Sequence, residues 1–155
     1  MTPVLRRLSK RREMSSVVAV TPAGRLYARH VHGSVSSPVV IPVVIRALQH
    51  FRRKIGQPLL IVWDRLNAHR AHRTAAFLAR HARDFAAAYL PAYAPDLNPE
   101  EACNAWVKRV MENALPRDIA DLGQFVRRAF RRLQHRADFI IGCFRHVGLR
   151  ITQLP

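Results

Sequence analysis

The sequence contains little cysteine, little acid and no long apolar run. Of its 155 residues two are cysteines, Cys103 and Cys143, and their wide separation excludes a disulfide framework or a cysteine-type zinc site as the organising feature. The longest apolar run, Val39 to Ile45, has seven residues, whereas a membrane span needs about 20. No apolar stretch of signal-peptide length follows the basic N-terminus. We therefore predict a single intracellular domain without a membrane span.

The shortage of acid leaves a large excess of positive charge. Lysine and arginine together number 26 against ten acidic residues, which gives a formal net charge of +16. Of the 26 basic residues 23 are arginine, whose planar guanidinium matches phosphate oxygens in pairs. A polyanionic partner, most commonly nucleic acid, is the first expectation. The alternative is a compositional bias toward arginine and alanine that has no functional meaning.

Hydrophobic periodicity predicts four strands and five helices, which follow the order β-β-α-β-α-β-α-α with one more helix at the end. The order favours a mixed sheet with helices on both faces. The apolar run Leu59–Trp63 is typical of a central strand that is covered on both faces. The predicted elements are a hairpin over Ser16–Thr21 and Arg25–Val31, strands over Leu59–Trp63 and Phe85–Leu90, and helices over Ser36–Lys54, Ala71–Arg83, Glu100–Asn113, Asp118–Arg136 and Asp138–His146.

Three acidic residues stand where a catalytic site could form. Asp64 follows the Leu59–Trp63 strand, and open α/β sheets bind ligands beyond the carboxyl ends of their strands. Glu100 and Glu101 begin a helix for which Asn98 is the expected N-cap. Structural roles would also explain them, since Asp64 can cap a turn and the glutamates favour the positive end of the helix macrodipole. The functional alternative is that one glutamate meets Asp64 and that both hold Mg²⁺ or Mn²⁺ for phosphoryl transfer.

For the histidines that follow Asp64 and for the two tryptophans, structural roles are the simpler expectation. His69 and His72 could join Asp64 as metal ligands, but their spacing fits no standard zinc site. Neutral histidines that hydrogen-bond near the strand end are the alternative. We expect Trp63 and Trp106 in the core rather than as platforms for nucleic-acid bases.

Two segments of the chain resemble a known family. The segments LLIVWDRLNAHRA (59–71) and YLPAYAPDLNPEEACNAWVKR (89–109) resemble the DDE catalytic domain of mariner-like bacterial insertion-sequence transposases. That family typically has an apolar strand that ends in Asp, a His five residues later, and a Leu-Pro-x-Tyr-x-Pro-(Asp/Glu)-Leu-Asn-Pro-x-Glu motif that begins a helix. Four further segments also resemble this family: TPVLRRL, SSVVAVTPAGRLY, HGSVSS and FRHVGL. The matching residues are Asp64, His69, Leu90, Pro91, Tyr93, Pro95, Asp96, Leu97, Asn98, Pro99, Glu101, Lys108 and Arg109.

The resemblance implies a ribonuclease H-like fold and Mg²⁺- or Mn²⁺-dependent cutting of transposon ends, which are then joined to target DNA. Water attacks the phosphodiester first, and the freed 3′-hydroxyl then attacks another one. The resemblance makes Asp64 the second and Glu101 the third catalytic carboxylate, and both would bind metal in a two-metal site when the full domain is present. Glu100 falls on a variable position of the motif. The residues expected to contact nucleic acid are Arg65, His69, Arg70, Arg73, Asn98, Lys108 and Arg109.

One departure concerns the first catalytic Asp, which in the family ends a strand ahead of the hairpin. Here the only acidic residue before Asp64 is Glu13, and the family's N-terminal helix-turn-helix region is also not recognisable. We therefore predict a basic lead-in over residues 1–14 and a partial DDE catalytic domain over residues 15–155 that lacks its first central strand. Such a chain would be inactive on its own. A decayed element, a frameshift product and a misassigned start codon are all open explanations.

Two classes of function follow. In the first the chain is a transposase by family resemblance, and its partner is DNA, together with a second copy of itself or an upstream-encoded N-terminal part. In the second it is a non-enzymatic basic DNA- or RNA-binding protein that keeps only the fold. Divalent-metal binding at Asp64 and Glu101 separates the two. Both predict a cytoplasmic, nucleoid-associated protein.

Overall fold

The computed structural model describes residues 14–32 and 37–149, so Glu13, the predicted lead-in before Met14 and most of the HGSVSS segment lie outside the described residues. Within these ranges the chain forms four strands and six α-helices, and no helix there is long and apolar enough to span a membrane. The elements are β1 (Met14–Val20), β2 (Leu26–His32), α1 (Ser37–Ile55), β3 (Leu59–Trp63), α2 (Asn67–Arg70), α3 (His72–Arg80), β4 (Phe85–Tyr89), a 3₁₀ turn (Pro95–Leu97), α4 (Pro99–Met111), α5 (Ile119–Gln134) and α6 (Ala137–His146).

The strands β1 and β2 form the antiparallel hairpin that the sequence predicts, with Met14 paired to His32. The turn between them requires Gly24, whose φ of +77° lies in the left-handed region that side chains disfavour. A Cβ on Gly24 would also lie 2.8 Å from the carbonyl oxygen of Ala137. The hairpin turn therefore packs directly against the start of α6.

The hairpin and the last three helices enclose the larger core, which we call the helical core. Leu133 and Ile140 are fully buried in it, and Leu26 contributes from β2. Cys103 and Cys143 meet in this core as free thiols, and burial, followed by the neighbouring Cys143, raises the pKa of Cys103 to about 12. The cysteines are therefore inert core residues here, since the reactive form is the thiolate.

The strands β3 and β4 form a parallel pair, and α1 and α3 cover one face of it. Val44, Leu48, Trp63, Phe77 and Phe85 close a second core there, which we call the β3–β4 core. The pair exists because each strand is a short apolar run and the connection between them is helical, as parallel pairing requires.

The opposite face of the β3–β4 pair is open within the described residues. Leu60 is 61% exposed and Val62 is 50% exposed, whereas Trp63 is 8% exposed. The prediction that Leu59–Trp63 is covered on both faces is therefore wrong for the described part of the chain. An apolar run indicates that a strand avoids water, but it does not identify which elements cover it.

The fold class is confirmed as mixed α/β with small sheets flanked by helices. The described strands fall into two separate two-stranded sheets, β1–β2 and β3–β4, rather than one continuous sheet. The predicted helices are present with ends that differ by at most three residues, and the short α2 was not predicted. Its backbone closes a single turn after Leu66, which leaves too little periodicity for recognition.

Candidate active site

The site begins where β3 and β4 end side by side. Trp63 pairs with Tyr89 as the last step of the parallel register, so both strands deliver their carboxyl ends to one edge. The backbone N–H of Leu90 then donates to the carbonyl of Trp63 at 2.9 Å. The guanidinium Nε of Arg65 donates to the carbonyl of Leu90 at 3.3 Å, which ties the two outgoing chains together.

Asp64 is held in one orientation by its own loop. Its Oδ1 accepts from Nδ1 of His69 at 2.7 Å and from the backbone N–H of Leu66 at 3.1 Å. The His69 ring stacks on Trp63, with centroids 4.3 Å apart and planes 6° apart, so its position is fixed by packing as well. No hydrogen bond among the described residues reaches Oδ2 of Asp64. One carboxylate oxygen is therefore used for positioning, and the other is available to a ligand.

The start of α4 follows the predicted pattern. Asn98 is the N-cap and its side-chain oxygen accepts from the backbone N–H of Glu100 at 3.1 Å, while Pro99 occupies the first helical position. Glu100 and Glu101 both lie in the first turn, where the helix macrodipole favours carboxylates. Glu100 is mostly buried, whereas Glu101 is exposed.

Asp64 and Glu101 line the same cleft, which has a volume of about 390 Å³. Arg65 and Asn98 also line it, whereas Glu100 does not. The choice of Glu101 over Glu100 as the third carboxylate stays a prediction. Asp64 comes from the end of β3 and Glu101 from the start of α4, so only tertiary structure brings the two residues to one cleft.

Glu100 does not line this cleft, but its pKa is affected by the acidic residues that do. Burial, followed by the charges of Glu101 and Asp64, raises its pKa from 4.5 to about 7, while a hydrogen bond from Asn104 and the charge of Lys108 act in the opposite direction. Glu100 is therefore close enough to Glu101 and Asp64 to be affected by the negative charge of each. A cation bound near Glu101 and Asp64 would reduce the effect of their charges on Glu100.

The donor set fits a hard divalent cation in part. Asp64 and Glu101 offer carboxylate oxygens, which Mg²⁺ and Mn²⁺ prefer. Within residues 14–32 and 37–149, no group of three or more His, Cys, Asp or Glu side chains is arranged to hold a metal ion. The two carboxylates would therefore hold a cation only together with water, substrate or a further ligand.

The remaining predicted site residues divide by location. His69 lies behind Asp64 rather than in the cleft, and Arg70, Lys108 and Arg109 are exposed outside it. Arg73 lines a separate depression on α3 together with His72, so His72 does not join Asp64.

Sequence reasoning assigned no role to Tyr93, although the structure places it on the cleft wall. The residue is 103% exposed, and its φ of +57° is the only positive value at a non-glycine residue of the described chain. A tyrosine between two prolines in a turn-rich loop was the available signal.

Comparison with known proteins gives one match. Residues 1–123, which include β1 through α4 and the start of α5, match the family model described as DDE superfamily endonuclease. Neither the search of curated proteins nor the search of solved structures gives a match.

Proposed function

Because the chain belongs to the DDE superfamily endonucleases, we propose that it carries the metal-binding part of a mariner-like insertion-sequence transposase domain. Its substrate is DNA, the ends of a transposon and a target, and its place of action is the nucleoid. The observation that carries the proposal is the convergence of Asp64 and Glu101 on one cleft from two separate elements. Structural roles alone, one carboxylate capping a turn and the other facing a helix dipole, do not require that the two share a cleft.

Asp64 and Glu101 are the proposed ligands of Mg²⁺ or Mn²⁺. The bound metal would supply Lewis-acid stabilisation of charge at the phosphodiester. His69 would fix the orientation of Asp64, because it donates to Oδ1 and is itself held on Trp63. Arg65 on the cleft wall would contact a DNA phosphate.

We further propose that this chain alone binds DNA without cutting it. The cleft offers two acidic residues where the resemblance implies three. The division of the described strands into two separate sheets supports a place for one more strand between β1 and β3, because such a strand would pair with an edge of each. A homodimer or an upstream-encoded segment would provide it. The alternative, a basic nucleic-acid-binding protein, would need no metal at all.

Titration of the purified chain with Mn²⁺ tests the site. We expect Asp64→Asn and Glu101→Gln to weaken Mn²⁺ binding at least about 10-fold. Asp96→Asn is the matched control. Asp96 is an exposed acidic residue in the 3₁₀ turn before α4, and it does not line the cleft. Unchanged Mn²⁺ affinity in Asp64→Asn would refute the proposed site.

A plasmid-nicking assay with Mg²⁺ tests the proposed inactivity. We expect no nicking above the level in EDTA, and salt-dependent DNA binding that falls about 10³-fold or more between 50 and 200 mM salt if six or more phosphates are neutralised. Nicking that disappears in Asp64→Asn would show that the two acids suffice. A salt dependence near zero would argue against DNA as the partner.

A further inference from the structure

Tyr93 is the most exposed large hydrophobic residue of the described part of the chain, and its backbone is held in an unfavourable conformation. Its ring is fully accessible, and its φ is +57°. Left-handed backbone is disfavoured for a residue with a bulky side chain, and such outliers concentrate at functional sites. No hydrogen bond or ring contact within the described residues involves Tyr93. The exposed ring therefore makes no contact among the described residues that would stabilise the fold.

The position of Tyr93 relates it to the carboxylates. It lines the cleft that Asp64 and Glu101 line, together with Pro91 and Pro95, whose rings restrict the loop on both sides. Arg65 stands on the same wall. A DNA strand whose phosphodiester reaches the carboxylates would occupy the cleft that Tyr93 lines.

We propose that Tyr93 is a stacking platform for an uncovered base of the DNA held at this cleft. The inference rests on the proposed function. A cut or frayed end leaves one base with a free face, and an aromatic ring can cover that face whatever the sequence. A stacked base also explains why a hydrophobic ring is presented to solvent within a chain of net charge +16. A protein partner is the competing occupant, since Leu66 and Leu97 are exposed nearby.

The test compares two DNA probes with three proteins in EDTA. One probe is a duplex closed by hairpins at both ends, and the other is the same duplex with one end opened to a 3′ overhang. The proteins are wild type, Tyr93→Asn and Tyr93→Phe. Asparagine tolerates the left-handed backbone and lacks the ring, while phenylalanine keeps the ring. All three side chains are neutral, so phosphate contacts and the salt dependence stay the same.

We expect Tyr93→Asn to weaken overhang binding by about 5- to 150-fold, the range observed when a stacking aromatic is removed. Binding to the closed duplex should not change, and Tyr93→Phe should behave as wild type. A 5-iododeoxyuridine at the overhang should crosslink to the peptide that contains Tyr93. If Tyr93→Asn binds the overhang as wild type does, or Tyr93→Phe loses as much as Tyr93→Asn, the inference is wrong. A change in self-association without a change in DNA binding would assign the ring to a protein partner and overturn it too.

The outcome can be separated from that of the proposed function. Asp64→Asn should lose Mn²⁺ affinity and keep the Tyr93-dependent preference for the overhang, because stacking requires no metal. Normal Mn²⁺ behaviour with an unaffected Tyr93→Asn would refute only the stacking. Crosslinking at Tyr93 with no metal site would refute only the proposed metal-binding function. The absence of any DNA binding would refute both. Thermal unfolding of each variant, with Tyr93→Gly as a second ring deletion, excludes misfolding as the cause.

Discussion

Replacing Glu100 by glutamine should remove a pH-dependent loss of stability. Glu100 is mostly buried behind the cleft and faces the charges of Asp64 and Glu101, with Asn104 and Lys108 as its favourable neighbours. Burial and the two like charges raise its pKa from 4.5 to about 7, so the folded protein retains a proton that the unfolded chain releases. Glutamine keeps the shape and the hydrogen-bonding capacity, and it cannot ionise.

Proton linkage determines whether the free energy of unfolding rises or falls with pH. Below pH 4.5 the Glu100 carboxyl is protonated in both states and has no effect. Between pH 4.5 and about 7 the unfolded chain ionises first, so the free energy of unfolding decreases as the pH rises, and above about 7 the loss is constant. Each pKa unit corresponds to about 1.4 kcal/mol, which gives a total near 3 kcal/mol. For a chain of this length that is about 6–12 °C in the melting temperature.

Thermal unfolding in EDTA between pH 4 and pH 8 measures this difference. Relative to wild type, Glu100→Gln should gain stability progressively across the window. His30 and His50, whose pKa values are lowered first of all by burial, contribute in the opposite direction, but they are present in both proteins and cancel in the comparison. Glu112→Gln, an exposed acid just beyond α4, should show no such gain. A difference between Glu100→Gln and wild type that is the same at pH 4.5 and pH 8 would refute a proton held on Glu100.

Three further predictions concern the cap, the core and the support of Asp64. Asn98→Ala should destabilise the fold by about 1 kcal/mol in denaturant unfolding, because the N–H of Glu100 loses its acceptor; an unchanged midpoint would mean that water replaces the cap. Leu133→Ala should lower the free energy of unfolding by about 2–5 kcal/mol, since Leu133 is fully buried. The control Leu115→Ala, at an 88% exposed site, should lower it by less than about 0.5 kcal/mol. Equal losses of stability would contradict the described helical core. His69→Ala should weaken Mn²⁺ binding about 10- to 100-fold through loss of the hydrogen bond to Asp64, and titration with unchanged affinity would show that His69 does not orient the carboxylate.

The parts of the fold that local chemistry controls were predictable. The start of α4 is fixed by Asn98 and Pro99, whose capping and backbone preferences act within one turn, and the structure has both in those roles. The strand Leu59–Trp63 begins and ends where the apolar run does. Turn chemistry at Gly24 likewise marked the hairpin. Local rules therefore place Asp64 at a strand end and the glutamates in a first turn.

Properties that depend on tertiary contacts could not be predicted. Glu100 and Glu101 are neighbours in the sequence, yet they point about 100° apart on the helix, and only packing decides which one is buried. The exposure of Leu60 depends on an element that the sequence pattern of β3 does not specify. The backbone conformation of Tyr93 is set by its loop as a whole, because no short motif requires a left-handed tyrosine.

The two carboxylates belong to different cores, and β1 connects these cores. Asp64 follows Trp63, which is buried in the β3–β4 core, while Glu101 is carried by α4, which packs in the helical core. Along β1 the side chains alternate, so that Val18 packs against the helical core and Val17 against the β3–β4 core. The distance between the carboxylates therefore depends on how β1 holds the two cores together. Because the β1–β2 and β3–β4 sheets share no strand pairing in the described residues, we expect a substitution at Val17 or Val18 to change the distance between the two carboxylates without contacting either.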